Sequence, residues 1–425
     1  MAKIVIVGAG SGFGGRLSVD MLSHPAMQDA TIALCDLDEK KLAAVATYVT
    51  RVAEKHKLRA KVIGSPDRRK LLRGADFVIT SISVGGAAYH SPLHKLETGI
   101  PAKYGIIQSV ADTIGVGGVF RFLRTAPVQL EILRDVQRLA PNALVLNYTN
   151  PMAMLTWLHS VATGVRNVGL CHSVQHTMRR LAGFCNVPYE EVKYWVAGIN
   201  HQGWILEFRH GGRDAYDLLR KAMKKPEIYK QDMVRFEIMR HFGYFVTESS
   251  SHMSEYVPYF RRTAKMIRQY RLIHRRKKLP RGRPWLTDPN TPVPDLAASD
   301  EYASGIMKAV LTDKPYRFNG NVMNHGAIAN LPANACVEVP CLADGQGIHA
   351  CQVGELPPQL AAINRSNIAV QELAVQAVLN RDKEAAFHAV AVDPLTSSVA
   401  PLDRIRDMFE ELWKAERHML RHFDK

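Results

Sequence analysis

A β-branched run, KIVIV at residues 3–7, breaks at glycine into VGAGSGFGG and passes into a helical pattern, GGRLSVDMLSH. This junction constrains the fold more than any other stretch. A strand that turns on glycine straight into a helix calls for a crossover to a parallel neighbour. The chain then repeats the alternation. ATIALCDLD is a second strand, EKKLAAVATYVTRVAEKH a helix, AKVIGS a third strand, and RRKLLRGADFVITSISVGG a short helix with a fourth strand. VQLEILRDVQRLAPNALVLNYTNP and RNVGLCHS continue it. The pattern predicts an α/β fold, a Rossmann-type doubly wound parallel sheet over residues 1–195.

Beyond that point the pattern changes. VKYWVAGINHQGWILEFRHGGRDAY reads as strands with a tight Gly-Gly turn, and NHGAIANLPANACVEVPCLAD as further short strands. Between them lies a basic, mostly helical region broken by the Pro-rich LPRGRPWLTDPNTPVPD, and the chain ends in helices by apolar spacing. A length of 425 residues exceeds one compact core. A second, α+β domain is therefore expected over residues 196–425.

The net charge of +15 leaves nucleic acid, a membrane surface or an anionic small molecule open as partners. Much of the excess lies in residues 261–283, RRTAKMIRQYRLIHRRKKLPRGR, which contain no acid. A solvated basic excursion on an enzyme accounts for that segment more simply than nucleic-acid binding. The six cysteines are scattered without a CxxC pair, which suits a reduced cytoplasm. There is no run of 18 apolar residues, so no transmembrane helix is expected.

VGAGSGFGG stands after a strand and opens a helix, the context of a dinucleotide-binding loop. Gly8 turns the chain, Gly10 lets the backbone approach a pyrophosphate, and Ser11, Gly12 and Phe13 complete the loop. The third glycine is ambiguous: counted from Gly8 its place holds Phe13, and counted from Gly10 the frame closes on Gly15. Asp36 ends the second strand, where a carboxylate would bind the adenosine ribose and favour NAD over NADP. Asp36 would otherwise serve as a helix cap.

In such sheets ligands bind beyond the carboxyl ends of the strands. NYTNP (147–151) and GLCHSVQ (169–175) both follow strands, so Asn150 and Cys171 reach that edge, and GINHQGW brings His201 in a loop that closes over them. A thiolate and an imidazole can hold a divalent metal with open positions. Cys–His nucleophilic catalysis is the competing chemistry, and a free cysteine is often a small hydrophobe.

The glycine loop, TSISVGG, GIPAKYGIIQ, GVGGVFRFLRTAP, NYTNPMAMLT, GLCHSVQ, GINHQGW, ESSSHMSEYVPY and NLPANACVEVP occur in an order that resembles family 4 glycoside hydrolases over nearly the whole chain. The resemblance implies a malate/lactate-dehydrogenase-like fold, NAD and Mn²⁺ as cofactors, and a glycosidase that oxidises the sugar at C3. Loss of the C2 proton, elimination, water addition and re-reduction follow, with no net redox. It implies Cys171 and His201 as metal ligands, Tyr256 as the C2 base with Tyr244 and Tyr259 behind it, and Ser83 beside the cofactor. Asn150 and Asn200 become substrate contacts, Asp112 a polar site residue, and His172 a catalytic candidate that contacts the sugar near C4. The CHS pattern and ESSSHMSEYVPY resemble the α-galactosidase branch. An α-galacturonidase or α-glucosidase is the alternative within the family, and a 2-hydroxyacid dehydrogenase the alternative outside it. A cytoplasmic homodimer or homotetramer is expected, with no nucleic acid and no membrane as partner.

Overall fold

The computed structural model describes residues 1–86, 91–272, 286, 288 and 290–424. The first half alternates strand and helix as the sequence suggests: β1 (Lys3–Val7), α1 (Gly12–Leu22), β2 (Thr31–Cys35), α2 (Glu39–Lys55), β3 (Lys61–Gly64), α3 (Arg68–Leu72), β4 (Phe77–Thr80). Then come α4 (Pro92–Lys103), α5 (Gly115–Leu139), β5 (Leu144–Asn147), α6 (Met152–Ala162), β6 (Asn167–Gly169) and α7 (Ser173–Cys185). β4 and β5 are buried at every residue, as strands covered by helices on both faces must be. α2 instead buries one stripe, with Leu42, Val45, Val49 and Val52 at helical spacing.

The second half supplies β7 (Val192–Ile199), β8 (Gln202–His210), β9 (Arg213–Asp214), β10 (Tyr316–Met323), β11 (Cys336–Asp344) and β12 (Gly347–Ala350). Gly211 and Gly212, both at positive φ, make the tight turn between β8 and β9.

The twelve strands among the described residues form one sheet of order β3-β2-β1-β4-β5-β6-β10-β11-β7-β8-β9, with β12 paired to β11. β3 to β6 run parallel, in the strand order 3-2-1-4-5-6 of dinucleotide-binding folds. Beyond β6 the pairing turns antiparallel, through Gly169 against Asn321 and Glu338 against Gly198. This continuation carries the β7–β8 hairpin, whose two-residue turn is Asn200–His201, to the carboxyl end of β6 where Cys171 stands.

The basic segment 261–283 is not an excursion at its start. Arg261 is fully buried, and its guanidinium donates to Ser254 Oγ, the Ile107 carbonyl and Ser109 Oγ. Residues 273–283 of the segment to which the nucleic-acid reading applies lie outside the described residues. Among the described residues all six cysteines are free, and no helix is long and apolar enough to cross a membrane.

Candidate active site

The nucleotide edge is shaped by backbone. Gly8 has φ +91°, and a Cβ there would stand 2.2 Å from the Ser81 carbonyl oxygen. The third glycine of the loop is neither Phe13 nor Gly15 in function. It is Gly14, where a Cβ would fall 2.0 Å from the Ala9 carbonyl oxygen, so the close packing of helix on loop depends on it. Phe13 points elsewhere, against Tyr148 at a ring separation of 4.9 Å. Ser11 caps α1, accepting from the Phe13 N–H, and lies 2.9 Å from Ser81 Oγ. Gly12 opens the helix and is buried.

Asp36 does not cap α2; Asp38 does, accepting from the Lys41 N–H. The Asp36 carboxylate instead accepts from the Gly10 N–H at 2.7 Å and the Asp38 N–H at 2.9 Å. It is thereby fixed to the loop beside which a ribose would lie. Ser83 closes a turn by donating to the Gly86 carbonyl.

The second cluster is made of side chains from distant segments. Cys171 Sγ lies 3.4 Å from His201 Nε2. His201 Nδ1 lies 3.3 Å from Thr113 Oγ1, which accepts from the Tyr256 hydroxyl at 3.0 Å. Asp112, next in chain to Thr113, accepts from the Asn150 amide at 3.2 Å, and the Asn150 carbonyl accepts from Arg121 Nε at 3.3 Å. The loop carrying Asp112 and Thr113 is clamped by Glu255, whose buried carboxylate accepts from the N–H groups of Val110 (2.8 Å) and Ala111 (3.0 Å) and from the Gln108 amide. The helix Ser250–Tyr256 therefore positions the loop as well as contributing Tyr256.

Four residues not singled out in the sequence join this cluster: Glu248, His252, Glu301 and Glu338. His252 stands between Glu248 Oε1 at 3.2 Å and Asp112 Oδ1 at 3.6 Å. Glu301 lies 3.6 Å from His172 Nδ1 and 3.7 Å from Arg16 on α1, tying the nucleotide edge to the second cluster. Glu248, His252 and Tyr256 all fall within ESSSHMSEY, where an acid and a histidine four apart were the available signal. Glu338, a lone acid in the apolar strand CVEVP, is fully buried on β11.

The charges follow from burial and neighbours. Burial pushes the His201 pKa down to about 4, helped by the His252 charge, so the ring is neutral at pH 7. Burial opposes charge on His252, but Glu248 and Asp112 raise its pKa to about 9. Burial also opposes ionisation of Asp112 and Glu248, yet both are held below the usual carboxylate range, chiefly by His252. Glu338 is raised to about 8 by burial and by the Glu248 charge. Burial raises the Cys171 thiol, with Glu338 and Glu248 adding to it. Glu301 raises the His172 pKa against burial.

Two of the expected site residues are buried. Asn200, in the β7–β8 turn beside His201, is 1% exposed and lies near Glu338 on β11. Tyr256 does reach the cluster, but burial drives its phenol pKa well above 10. Its action as a base requires a cation nearby. The alternatives sit in other contacts: Tyr244 packs edge-on against Tyr216, and Tyr259 is 45% exposed beside Phe242.

The donor set fits a divalent cation. Cys171, His201 and Glu248 offer a sulfur, a neutral imidazole nitrogen and a carboxylate oxygen, all within 4.8 Å of one another. The glycine loop, its helix N-terminus and Asp36 fit a dinucleotide.

The chain matches the family 4 glycosyl hydrolase model over residues 3–187 and the family 4 glycosyl hydrolase C-terminal domain over residues 196–396. It is 38% identical to an α-galactosidase of Bacillus subtilis, with 98% of each chain covered. It is 35% identical to an α-galactosidase of Rhizobium meliloti, covering 97% of this chain and 88% of the other. A 6-phospho-β-glucosidase of Thermotoga maritima, solved with manganese, NAD⁺ and glucose-6-phosphate, shares the fold at a TM-score of 0.78. Its identity is 23%, and the match covers 98% of this chain and 99% of that one.

Proposed function

The chain belongs to family 4 of the glycosyl hydrolases, and from that premise we propose that it cleaves α-galactosides with NAD and a divalent cation, manganese, held on one sheet edge. The observation that carries this reading is the Cys171–His201 pair, 3.4 Å apart, beyond the strand next to the one that delivers Asn150. When bound, NAD supplies a hydride acceptor for the sugar C3 and the cation a Lewis acid for the C2 and C3 oxygens.

The protein's own residues do the rest. The Gly8–Gly14 loop and Asp36 seat the dinucleotide, while Cys171 and His201 hold the cation. Tyr256 removes the C2 proton, and Thr113 fixes its hydroxyl through their 3.0 Å hydrogen bond. Asn150, steadied by Asp112 and Arg121, orients a sugar hydroxyl. His172, its side chain 41% exposed and oriented by Glu301, faces the sugar near C4.

One observation favours a second substrate. Arg121 is 6% exposed and its Nη1 has no hydrogen-bond partner among the described residues. A guanidinium beside the sugar-binding Asn150 suits a uronate carboxylate. The test is hydrolysis of nitrophenyl α-galactoside, α-galacturonide and α-glucoside with NAD⁺, Mn²⁺ and a reductant. The α-galactoside is expected to be cleaved fastest. Preference for the uronide would move the assignment to an α-galacturonidase, and NADH accumulation without glycoside cleavage would overturn the glycosidase reading.

A further inference from the structure

We propose that Glu248 is a third protein ligand of the catalytic cation, and that His252 and Asp112 are the positioning residues that aim it. The proposal rests on the metal-dependent reading of the site and adds to it a residue and a reason for the choice of metal.

The geometry comes first. Glu248 Oε2 lies 3.9 Å from His201 Nε2, and His201 Nε2 lies 3.4 Å from Cys171 Sγ. Donors that share one ion at about 2.0–2.3 Å are separated by roughly 3–4 Å. Two of the three pairs stand at that spacing, and all three donors lie within 4.8 Å of one another. The backbone is committed to it as well. Glu248 has φ +75° and His201 φ +61°, left-handed conformations that non-glycine residues adopt rarely and that collect at functional sites. The Glu248 N–H donates to Thr177 Oγ1 at 3.1 Å, which pins the unusual conformation to α7.

The support behind Glu248 has the pattern expected of a ligand. Its other oxygen, Oε1, is 3.2 Å from His252 Nδ1, and Ser249 Oγ shares that nitrogen at 2.9 Å. His252 Nε2 faces Asp112 Oδ1 at 3.6 Å, and Asp112 Oδ2 accepts from the Asn150 amide. A carboxylate, an imidazole and a second carboxylate thus run in line from the cation to the residue assigned to the sugar. Ligating carboxylates are oriented by such outer partners. His252 faces a carboxylate with each ring nitrogen, and Asp112, His201 and His252 also stand within 4.8 Å of one another.

The chemistry agrees. A thiolate and an imidazole alone favour zinc or iron, whereas carboxylate oxygen favours manganese and magnesium. Glu248 supplies that hard donor. With the Cys171 thiolate it also balances the charge of a dication.

The test is Mn²⁺ and Zn²⁺ binding to metal-stripped protein. Free Mn²⁺ is read by its electron paramagnetic resonance signal, Zn²⁺ by competition, and NAD⁺ binding by calorimetry as a fold control. Glu248→Gln is expected to weaken Mn²⁺ roughly 10- to 100-fold, to weaken Zn²⁺ less, and to leave NAD⁺ unchanged. His252→Gln is expected to reproduce part of the Mn²⁺ loss. Should Glu248→Gln fail to fold, Glu248→Asp, which keeps the charge and shortens the reach, is expected to show the same selective loss. Unchanged Mn²⁺ affinity in the Glu248 variants, alongside loss of binding in Cys171→Ser, would overturn the ligand assignment and leave the family reading standing. Unchanged binding in Cys171→Ser as well would overturn the metal site itself.

Discussion

The glycine loop and the Cys171 cluster lie on the same edge of one sheet and are built by opposite means. The loop is contiguous, Gly8 to Gly14, and its shape comes from backbone: a positive φ at Gly8, a carbonyl that leaves no room for a Cβ at Gly14, and the Gly10 N–H turned toward the Asp36 carboxylate. The cluster draws on the end of β6, a hairpin turn, the loop before α5 and the helix Ser250–Tyr256. The hydrogen bond from Tyr256 to Thr113 spans 143 residues of chain. A loop of the first kind needs only its own strand and helix. A cluster of the second kind exists only when the whole sheet is assembled, because Cys171 and His201 meet through the antiparallel continuation beyond β6. The two should therefore fail separately.

The largest separation is expected at the cation. Cys171→Ser or His201→Ala should abolish turnover while NAD⁺ affinity, measured by calorimetry, stays within about twofold. Full activity in a metal-free Cys171→Ser protein would break the comparison. Next comes Tyr256→Phe. Loss of a general base costs roughly 10²- to 10⁴-fold in rate, so kcat should fall by that order with KM little changed. In heavy water the native enzyme should place deuterium at C2 of the product sugar. A normal exchange rate in the variant would move the base to another residue, with Tyr244 and Tyr259 next to test.

A pH dependence sharpens the contrast. In the metal-free protein burial keeps Cys171 a thiol at neutral pH, and His201, with its pKa near 4, is already neutral. Cation binding must release the thiol proton, so apparent Mn²⁺ affinity should rise with pH, about tenfold per unit between pH 6 and 8. NAD⁺ affinity should stay flat across that range. A flat Mn²⁺ profile would mean that Cys171 binds no cation. The smallest effect is expected at Asp36→Ala, which should weaken NAD⁺ by about 1.5–3 kcal/mol, the worth of one charged hydrogen bond, and leave Mn²⁺ affinity unchanged. If calorimetry finds no loss, Asp36 serves only to hold the Gly10 N–H.

Stability gives a further handle on the side-chain cluster. Glu338 has a folded-state pKa of about 8, above the 4.5 of an exposed glutamate. Its raised value favours folding below pH 4.5, and that contribution is lost as pH rises through 8. Glu338→Gln should therefore raise the thermal midpoint of the metal-free protein above pH 8 and change it little at pH 5.

The parallel half of the fold was legible because its signals are local. β-branched runs, glycine punctuation and helical apolar spacing each act within a few residues, and together they leave little choice but a doubly wound sheet. Cys171 and His201 were legible as candidates because each follows or joins strands whose ends could be read. Counting leaves the third glycine ambiguous, since the motif's spacing shifts here and only the Ala9 carbonyl reveals which position has no room for a side chain.

What the residues settle alone is the menu: a nucleotide loop, a reactive cysteine and histidine, and motifs that resemble a family. What tertiary structure decides is which side chains meet and in what state of charge. Glu248, His252 and Glu338 look like ordinary polar residues in the chain, because a carboxylate has no special chemistry until burial and neighbours act on it. Folding places two of these carboxylates and one imidazole in the same buried volume. There Glu248 is held ionised and His252 protonated, while Glu338 is pushed to about 8. Those differences come from loss of water and from Coulomb interactions that fall off over a few ångströms of space and have no counterpart in distance along the chain.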